Sequence, residues 1–228
     1  MKKTMIWILV CWCTLQVSAQ QLRYGTVSVQ NSNENRGDVI ELTRPKFKDD
    51  VSFMQVLKSR ETIRSFSTEE LPIEELSNLL WAANGVNRPE TGKRTAPSAR
   101  NSQEIDIYVL MKEGVYLYEP VKNILVKVSG EDIRDKVSEQ KFFKQAPVVL
   151  LFVADYGKME GFSDEAKEFY SATDVGYVSQ NVYLYCSGAN LATVVCGAID
   201  RDFAKGMLKI KDGKVLLAQP VGYKSIRR

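Results

Sequence analysis

From Val51 onward the apolar residues fall into blocks that alternate between helical and extended spacing. Phe53, Met54, Val56 and Leu57 sit three and four apart, which predicts a short helix. A second helix begins near Pro72, continues through Leu76, Leu79, Leu80 and Ala83, and stops at Gly85. Residues 85–102, rich in Gly, Pro and Arg, read as a loop. Residues 105–110 alternate as a strand, and Lys112-Glu113-Gly114 turns them into a second strand at 115–118. Short helices are expected around 131–137 and 139–144. The run from Pro147 to Ala154 is apolar at every position, so it belongs in the middle of a sheet covered on both faces. The longest helical stretch runs from Asp164 to about Gly188, with Phe169, Ala172, Gly176, Tyr183 and Leu184 among its packing residues. A buried strand at 191–196, a short helix from Asp200 and a last strand at 215–218 follow. The order lacks the regular alternation of a doubly wound sheet and points to an α+β fold.

The N-terminus has a different character. Residues 1–19 read as a secretory signal: Lys2 and Lys3, a short apolar run, then the small-residue site Val17-Ser18-Ala19. The apolar run is short for a membrane span, so export to the periplasm or medium is expected, without stable membrane insertion after cleavage. Residues 20–47 are polar and read as an arm, with short extended pieces around 39–42, leaving 48–228 as the working domain. Losing the signal lowers the net charge from +3 to +1, because Lys2 and Lys3 leave and no acid does. A nearly neutral chain argues against nucleic acid as a partner. Of the four cysteines only Cys186 and Cys196 remain, and their spacing permits but does not require a disulfide.

The chain has 228 residues, 44% of them apolar and 26% charged, as in ordinary globular proteins, and it contains no histidine. That absence excludes Ser-His-Asp and Cys-His catalysis, HExxH zinc sites and His-ligated haem. No GxGxxG, Walker or CxxC pattern occurs. A phosphate-bearing ligand would need another holder, and Arg60-Glu61-Thr62-Ile63-Arg64 can supply one. Two guanidiniums four residues apart, with a hydroxyl between them, can converge on one phosphate. Arginines near a helix C-terminus also suit the macrodipole without any ligand. Residues 96–103, Ala-Pro-Ser-Ala-Arg-Asn-Ser-Gln, lead into a strand; they fit either the edge of a flat ligand or a surface turn. Cys196-Gly197-Ala198 ends a buried strand and could turn free backbone N–H groups toward a ligand, or simply terminate the strand. Cys196 has no basic neighbour in sequence and reads as a core residue.

Taken in order, these features resemble the FMN-dependent nitroreductase family from about residue 38 to the C-terminus. The family's Arg-x-Ser/Thr-x-Arg/Lys opening followed by Phe is matched by Arg60, Thr62, Arg64 and Phe66. Its Pro-Ser-x-x-Asn-x-Gln stretch is matched by Pro97, Ser98, Asn101 and Gln103. Gln140 and Phe142 stand before Ala146-Pro147, and Pro220-Val221-Gly222-Tyr223 closes the series. The Leu-Leu-Trp-Ala-Ala-Asn-Gly stretch ending in Gly85 is similar to a branch that includes SagB-type dehydrogenases.

The resemblance implies a mainly antiparallel sheet flanked by helices, and a homodimer with a long core helix and FMN at the subunit interface. Arg60, Glu61, Thr62 and Arg64 would surround the phosphate and ribityl chain, with Lys224 or Arg227. Pro97, Ser98, Ala99 and Asn101 would come from the partner, and Gln140 would meet the pyrimidine edge. The N–H of Gly197 or Ala198 would face flavin N5. It further implies ping-pong hydride transfer from NADH or NADPH to a small acceptor such as a nitroaromatic or quinone. Residues 85–94 and 156–165 would wall the substrate slot. Export leaves another donor open, as it does a SagB-like dehydrogenase or a flavin-binding module without turnover. Two positions depart from the family: Glu61 stands where a basic residue is common, and Gly197 where some members place a side chain near N5.

Overall fold

The structure, a computed structural model, describes residues 38–46 and 51–225. The expected signal segment, most of the arm and Arg227 lie outside the described residues. In chain order the elements are β1 (Val39–Glu41), α1 (Phe53–Ser59), α2 (Ile73–Asn84), β2 (Val86–Arg88), β3 (Lys93–Arg94), β4 (Ile105–Met111) and β5 (Gly114–Glu119). There follow β6 (Ile124–Ser129), α3 (Phe142–Gln145), β7 (Val148–Asp155), α4 (Asp164–Gly188), β8 (Leu191–Thr193), α5 (Arg201–Met207) and β9 (Gly213–Tyr223).

Seven strands form one sheet in the order β1-β6-β5-β4-β7-β9-β8, every neighbouring pair antiparallel. The α+β reading and the antiparallel sheet are both present. At the centre, β7 is buried along all but its last residue, and its side chains divide by pleat. Val148, Leu150, Phe152 and Ala154 join Leu79, Leu80, Val178 and Val182 beneath α2 and α4. Val149, Leu151 and Val153 join Ile133, Phe143 and Ala204 on the opposite face. The sheet therefore separates two apolar layers, and a central strand with no polar face is what that arrangement demands.

Local chemistry sets the helix ends. In α2, Pro72 precedes the first turn, Glu74 and Glu75 occupy it, and Gly85 N–H closes the last turn on Trp81 O. In α4, Ser163 Oγ accepts from Ala166 N at 3.2 Å, and Asp164 and Glu165 follow in the first turn. Asp200 caps α5 in the same way, accepting from Phe203 N at 2.9 Å.

Several sequence expectations are corrected. Residues 131–137 form turns rather than a helix, because Arg134 is drawn into its own network. Its guanidinium donates to both oxygens of Asp132, at 2.8 and 2.9 Å, and to the carbonyls of Ala146 and Pro147 at 2.8 and 3.3 Å. The supposed loop at 85–102 contains the β2–β3 hairpin, and a strand, β6, occupies a stretch assigned no element. The extended piece expected around 39–42 is present as β1, which pairs with β6, and Leu42 beside it is buried. Along α4, Tyr183 packs in the protomer, but Phe169, Ala172 and Gly176 are exposed. Helix α1 buries none of its residues; it meets α4 through Ser59 Oγ and Ser187 Oγ, 2.9 Å apart, and leaves Phe53, Met54 and Leu57 facing outward. Cys186 and Cys196 are both free and buried.

Phe152 is fully buried at the middle of β7. Phe152→Ala is expected to cost about 3–5 kcal/mol in a urea titration, and a loss below about 1 kcal/mol would contradict this placement of the core.

Candidate functional site

Where β8 ends, the chain from Arg60 to Ser67 lies along the sheet as an extended strap. Ile63 N–H donates to Thr193 O at 3.0 Å and Ser67 N–H to Tyr223 O at 2.9 Å, while Ser225 N–H returns to Ser65 O at 3.3 Å. Phe66 forms an antiparallel bridge with Lys224 and is buried. These bonds turn alternate strap residues outward, where residues 61–65 line an open recess of about 520 Å³.

One side chain of α4 organises the strap from behind. Tyr183, 8% exposed, has its hydroxyl 3.0 Å from Thr62 Oγ1 and accepts from Val195 N–H at 3.0 Å. The Arg60 guanidinium stands over the same ring, 5.2 Å from its centroid. Glu61 faces Lys224 across 3.7 Å, with both side chains well exposed. Arg64, by contrast, has no hydrogen bond or ion pair among the described residues.

The stretch after β8 adjoins the strap. Cys196 pairs with Ala218 through both backbone bonds, at 2.7 and 3.0 Å, and the chain then leaves the sheet. Gly197 and Ala198 are exposed, and neither N–H has a hydrogen-bond partner among the described residues. The Ala198 carbonyl accepts from Ser138 Oγ at 3.0 Å and from Gln140 Nε2 at 3.4 Å, which holds Gln140 beside this turn. Burial pushes the Cys196 thiol up, against a hydrogen bond from Gln140 and the positive charge of Arg64. A thiol kept neutral in this way is a packing group rather than a nucleophile. Arg60, Glu61, Thr62, Arg64, Gln140, Gly197, Ala198 and Lys224 thus share one end of the sheet.

Pro97, Ser98, Ala99 and Asn101 do not join them within one chain. Ala99 N–H donates to Asp174 Oδ2 at 2.8 Å, and Ser98 Oγ accepts from Gln103 N–H at 2.9 Å. Arg100, Asn101 and Gln103 have φ of 53°, 59° and 51°, a left-handed cluster in non-glycine residues that costs energy to hold. The Arg100 guanidinium lies 4.5 Å from the Phe162 ring centroid. The loop is moored to α4 at Asp174 and the strap at Tyr183, some 13 Å apart at the rise of an α-helix.

Sequence reasoning missed Tyr183 as a site residue, and it missed the carboxyl pair beneath the loop. Asp174 is 3% exposed and Glu104 fully buried. Glu104 accepts from Ser102 Oγ at 2.7 Å and meets Asp174, whose carboxyl is pushed up to about 6 by burial first and then by Glu104. Asp174 and Tyr183 lie in mid-helix and Glu104 just before β4, positions that give no sequence signal for these roles.

Comparison with known proteins shows what the chain as a whole is similar to. Residues 57–223 match the profile of the Nitroreductase family. A nitroreductase-family protein of Methanocaldococcus jannaschii is 33% identical over 198 residues, covering 82% of this chain and 98% of its own. A crystal structure of a nitroreductase-family protein from Ralstonia eutropha superposes with a TM-score of 0.79 at 36% identity, covering 83% of this chain and 91% of that one. The Escherichia coli microcin synthetase McbBCD complex contains a chain of the same fold, with TM-score 0.63 and 18% identity over 82% of this chain and 78% of its own.

The Asp174 carboxyl holds its proton more tightly folded than unfolded, so stability should fall as pH rises from about 4 to about 6 and then level off. Asp174→Asn keeps an acceptor for Ala99 N–H and offers Glu104 a donor. It should flatten that fall and add about 1–2 kcal/mol at pH 7 by urea unfolding; an undiminished fall in the variant would contradict the pairing.

Proposed function

The chain belongs to the nitroreductase family, and from that premise we propose that it is an FMN-dependent oxidoreductase working as a homodimer. The observation that carries the reading is the donor set at the end of the sheet. Among the described residues Arg60 and Arg64 have no carboxylate partner and the N–H groups of Gly197 and Ala198 are unpaired, and Thr62 and Arg64 line the recess at residues 61–65. A site so rich in donors, with Glu61 already occupied by Lys224, suits an anionic, acceptor-rich ligand. FMN has that chemistry: a phosphate for Arg60, Thr62 and Arg64, and ring oxygen and nitrogen acceptors for Gln140 and for the amides of Gly197 and Ala198.

When bound, FMN would supply two-electron chemistry, taking hydride from NADH, NADPH or another donor and delivering it to a small acceptor such as a nitroaromatic or quinone. The chain's own task is binding and orientation. The arginines neutralise the phosphate, and the turn at 197–198 offers fixed dipoles to the ring, which need not reorganise as charge develops. No histidine or activated thiol takes part, and none is required.

The exposed apolar residues support the dimer. Phe169, Ala172 and Gly176 form one stripe of α4, and Phe53, Met54 and Leu57 project from α1, which packs against the C-terminal end of α4 at Ser187 and Gly188. Gly176 has no atom within 4 Å of where a Cβ would stand, so two such helices can cross closely there. Tyr183 and Phe169 lie equally far on either side of Gly176. An antiparallel crossing therefore sets the strap of one protomer near the partner's Phe169 and loop 97–101, completing from two chains the site that one chain leaves divided.

Purified protein should be yellow, and its flavin should bleach anaerobically on addition of NADH or NADPH. Arg60→Ala with Arg64→Ala should lower FMN retention at least a hundredfold while the far-ultraviolet circular dichroism is kept. Stoichiometric FMN in that variant would overturn the assignment of the phosphate, and a yellow wild type that no donor reduces would favour a binding module. Gly176→Leu, harmless within the protomer, should convert the dimer to monomer in sedimentation velocity; an unchanged dimer would place the interface elsewhere.

A further inference from the structure

The strap's threonine is held from behind by Tyr183, which lies outside the sequence motifs named above, and the hydrogens in that contact can be assigned. Val195 N–H is a donor only, so at 3.0 Å the Tyr183 oxygen accepts from it. Tyr183 is 8% exposed, and Thr62 Oγ1, 3.0 Å away, is the other partner of its hydroxyl. If Thr62 donated to Tyr183, the phenol hydrogen of this part-buried pair would have no acceptor among the described residues, at the cost of an unmade bond. The arrangement that satisfies every group has Val195 N–H donating to Tyr183 and Tyr183 donating to Thr62. Thr62 Oγ1 then spends a lone pair on the tyrosine, and its own hydrogen turns toward the recess lined by residues 61–65.

We propose that Tyr183 is a positioning residue that fixes Thr62 as a hydrogen-bond donor toward the phosphate of the bound flavin. A free threonine hydroxyl rotates and can present either a hydrogen or a lone pair. Here the relay from the Val195 amide removes that choice, so the site offers a donor to an anion without reorganising its hydroxyl. The same ring supports Arg60 through its face, so one side chain of α4 aligns two groups aimed at one phosphate monoester. It also ties the strap to the chain entering the 196–198 turn, because Val195 immediately precedes Cys196.

The inference rests on the flavin reading, and paired titrations with FMN and riboflavin separate the two. These ligands share the ring and ribityl chain and differ in the phosphate. Tyr183→Phe keeps the ring under Arg60 and removes the relay. It should weaken FMN about tenfold in Kd, by quenching of flavin fluorescence, while riboflavin changes less than twofold. Thr62→Val should lose the same preference, and the double variant should bind FMN no more weakly than Thr62→Val alone. A merely structural tyrosine would weaken both flavins equally, and that result overturns the proposal, as does an FMN affinity unchanged in Tyr183→Phe. Should Tyr183→Phe not fold, undiminished phosphate preference in Thr62→Val overturns it instead. A wild-type chain that binds neither flavin overturns the flavin reading and the relay with it.

Discussion

The structure depends on an interlock between the beginning and the end of its domain. Residues 60–67 can lie as an extended strap only because β8 and the end of β9 offer them backbone partners, and the end of β9 finds partners of its own there. Ile63 to Thr193, Ser67 to Tyr223 and Ser225 to Ser65 are the bonds that make this seam. Extended backbone at a sheet edge must find partners or water. The seam answers that demand and also turns Thr62 and Arg64 out toward the recess. The cofactor site, on our reading, is a by-product of closing the sheet.

Helix α4 is the second constraint. Its inner residues, Val175, Val178 and Val182, cover one face of the sheet, while Asp174 moors the 97–101 loop and Tyr183 moors the strap. A rigid rod thereby holds the two groups of expected ligand residues apart within the protomer, moored about 13 Å from one another along its axis. The outward stripe through Ala172 and Gly176 resolves this in the proposed dimer, since antiparallel crossing exchanges the two ends. The long helix then measures the site, and its apolar outer face needs no second explanation.

Much of the fold was legible because burial on both faces leaves a plain mark. The unbroken apolar run of β7, the Pro72-to-Gly85 limits of α2 and the length of α4 all read correctly. Other elements were hidden for identifiable reasons. Strand β6 has only Leu125 fully buried and alternates weakly, and the β2–β3 hairpin is too short for any period to show. At 131–137 the Arg134 side chain outcompetes a helix that the pattern allowed. Helix α1 has an amphipathic pattern of which its own protomer uses little beyond Val56, set against Gly188 of α4. The site divided similarly: the Arg60–Arg64 strap has a motif, whereas Tyr183 and the Glu104–Asp174 pair acquire their roles only from what the fold sets against them.

The central claim is that two chains build each site, with the strap from one and the 97–101 loop from the other. Mixing refolded chains tests it directly. One partner is the Arg60→Ala, Arg64→Ala chain and the other an Ala99→Trp chain whose loop is blocked, so neither homodimer should hold FMN. A mixed dimer has one site with both defects and one with neither. The account predicts that FMN binding returns on mixing, at one of the two sites of each mixed dimer, as measured by flavin fluorescence quenching. If mixed dimers form and no binding returns, each site is built within a single chain and the account is wrong.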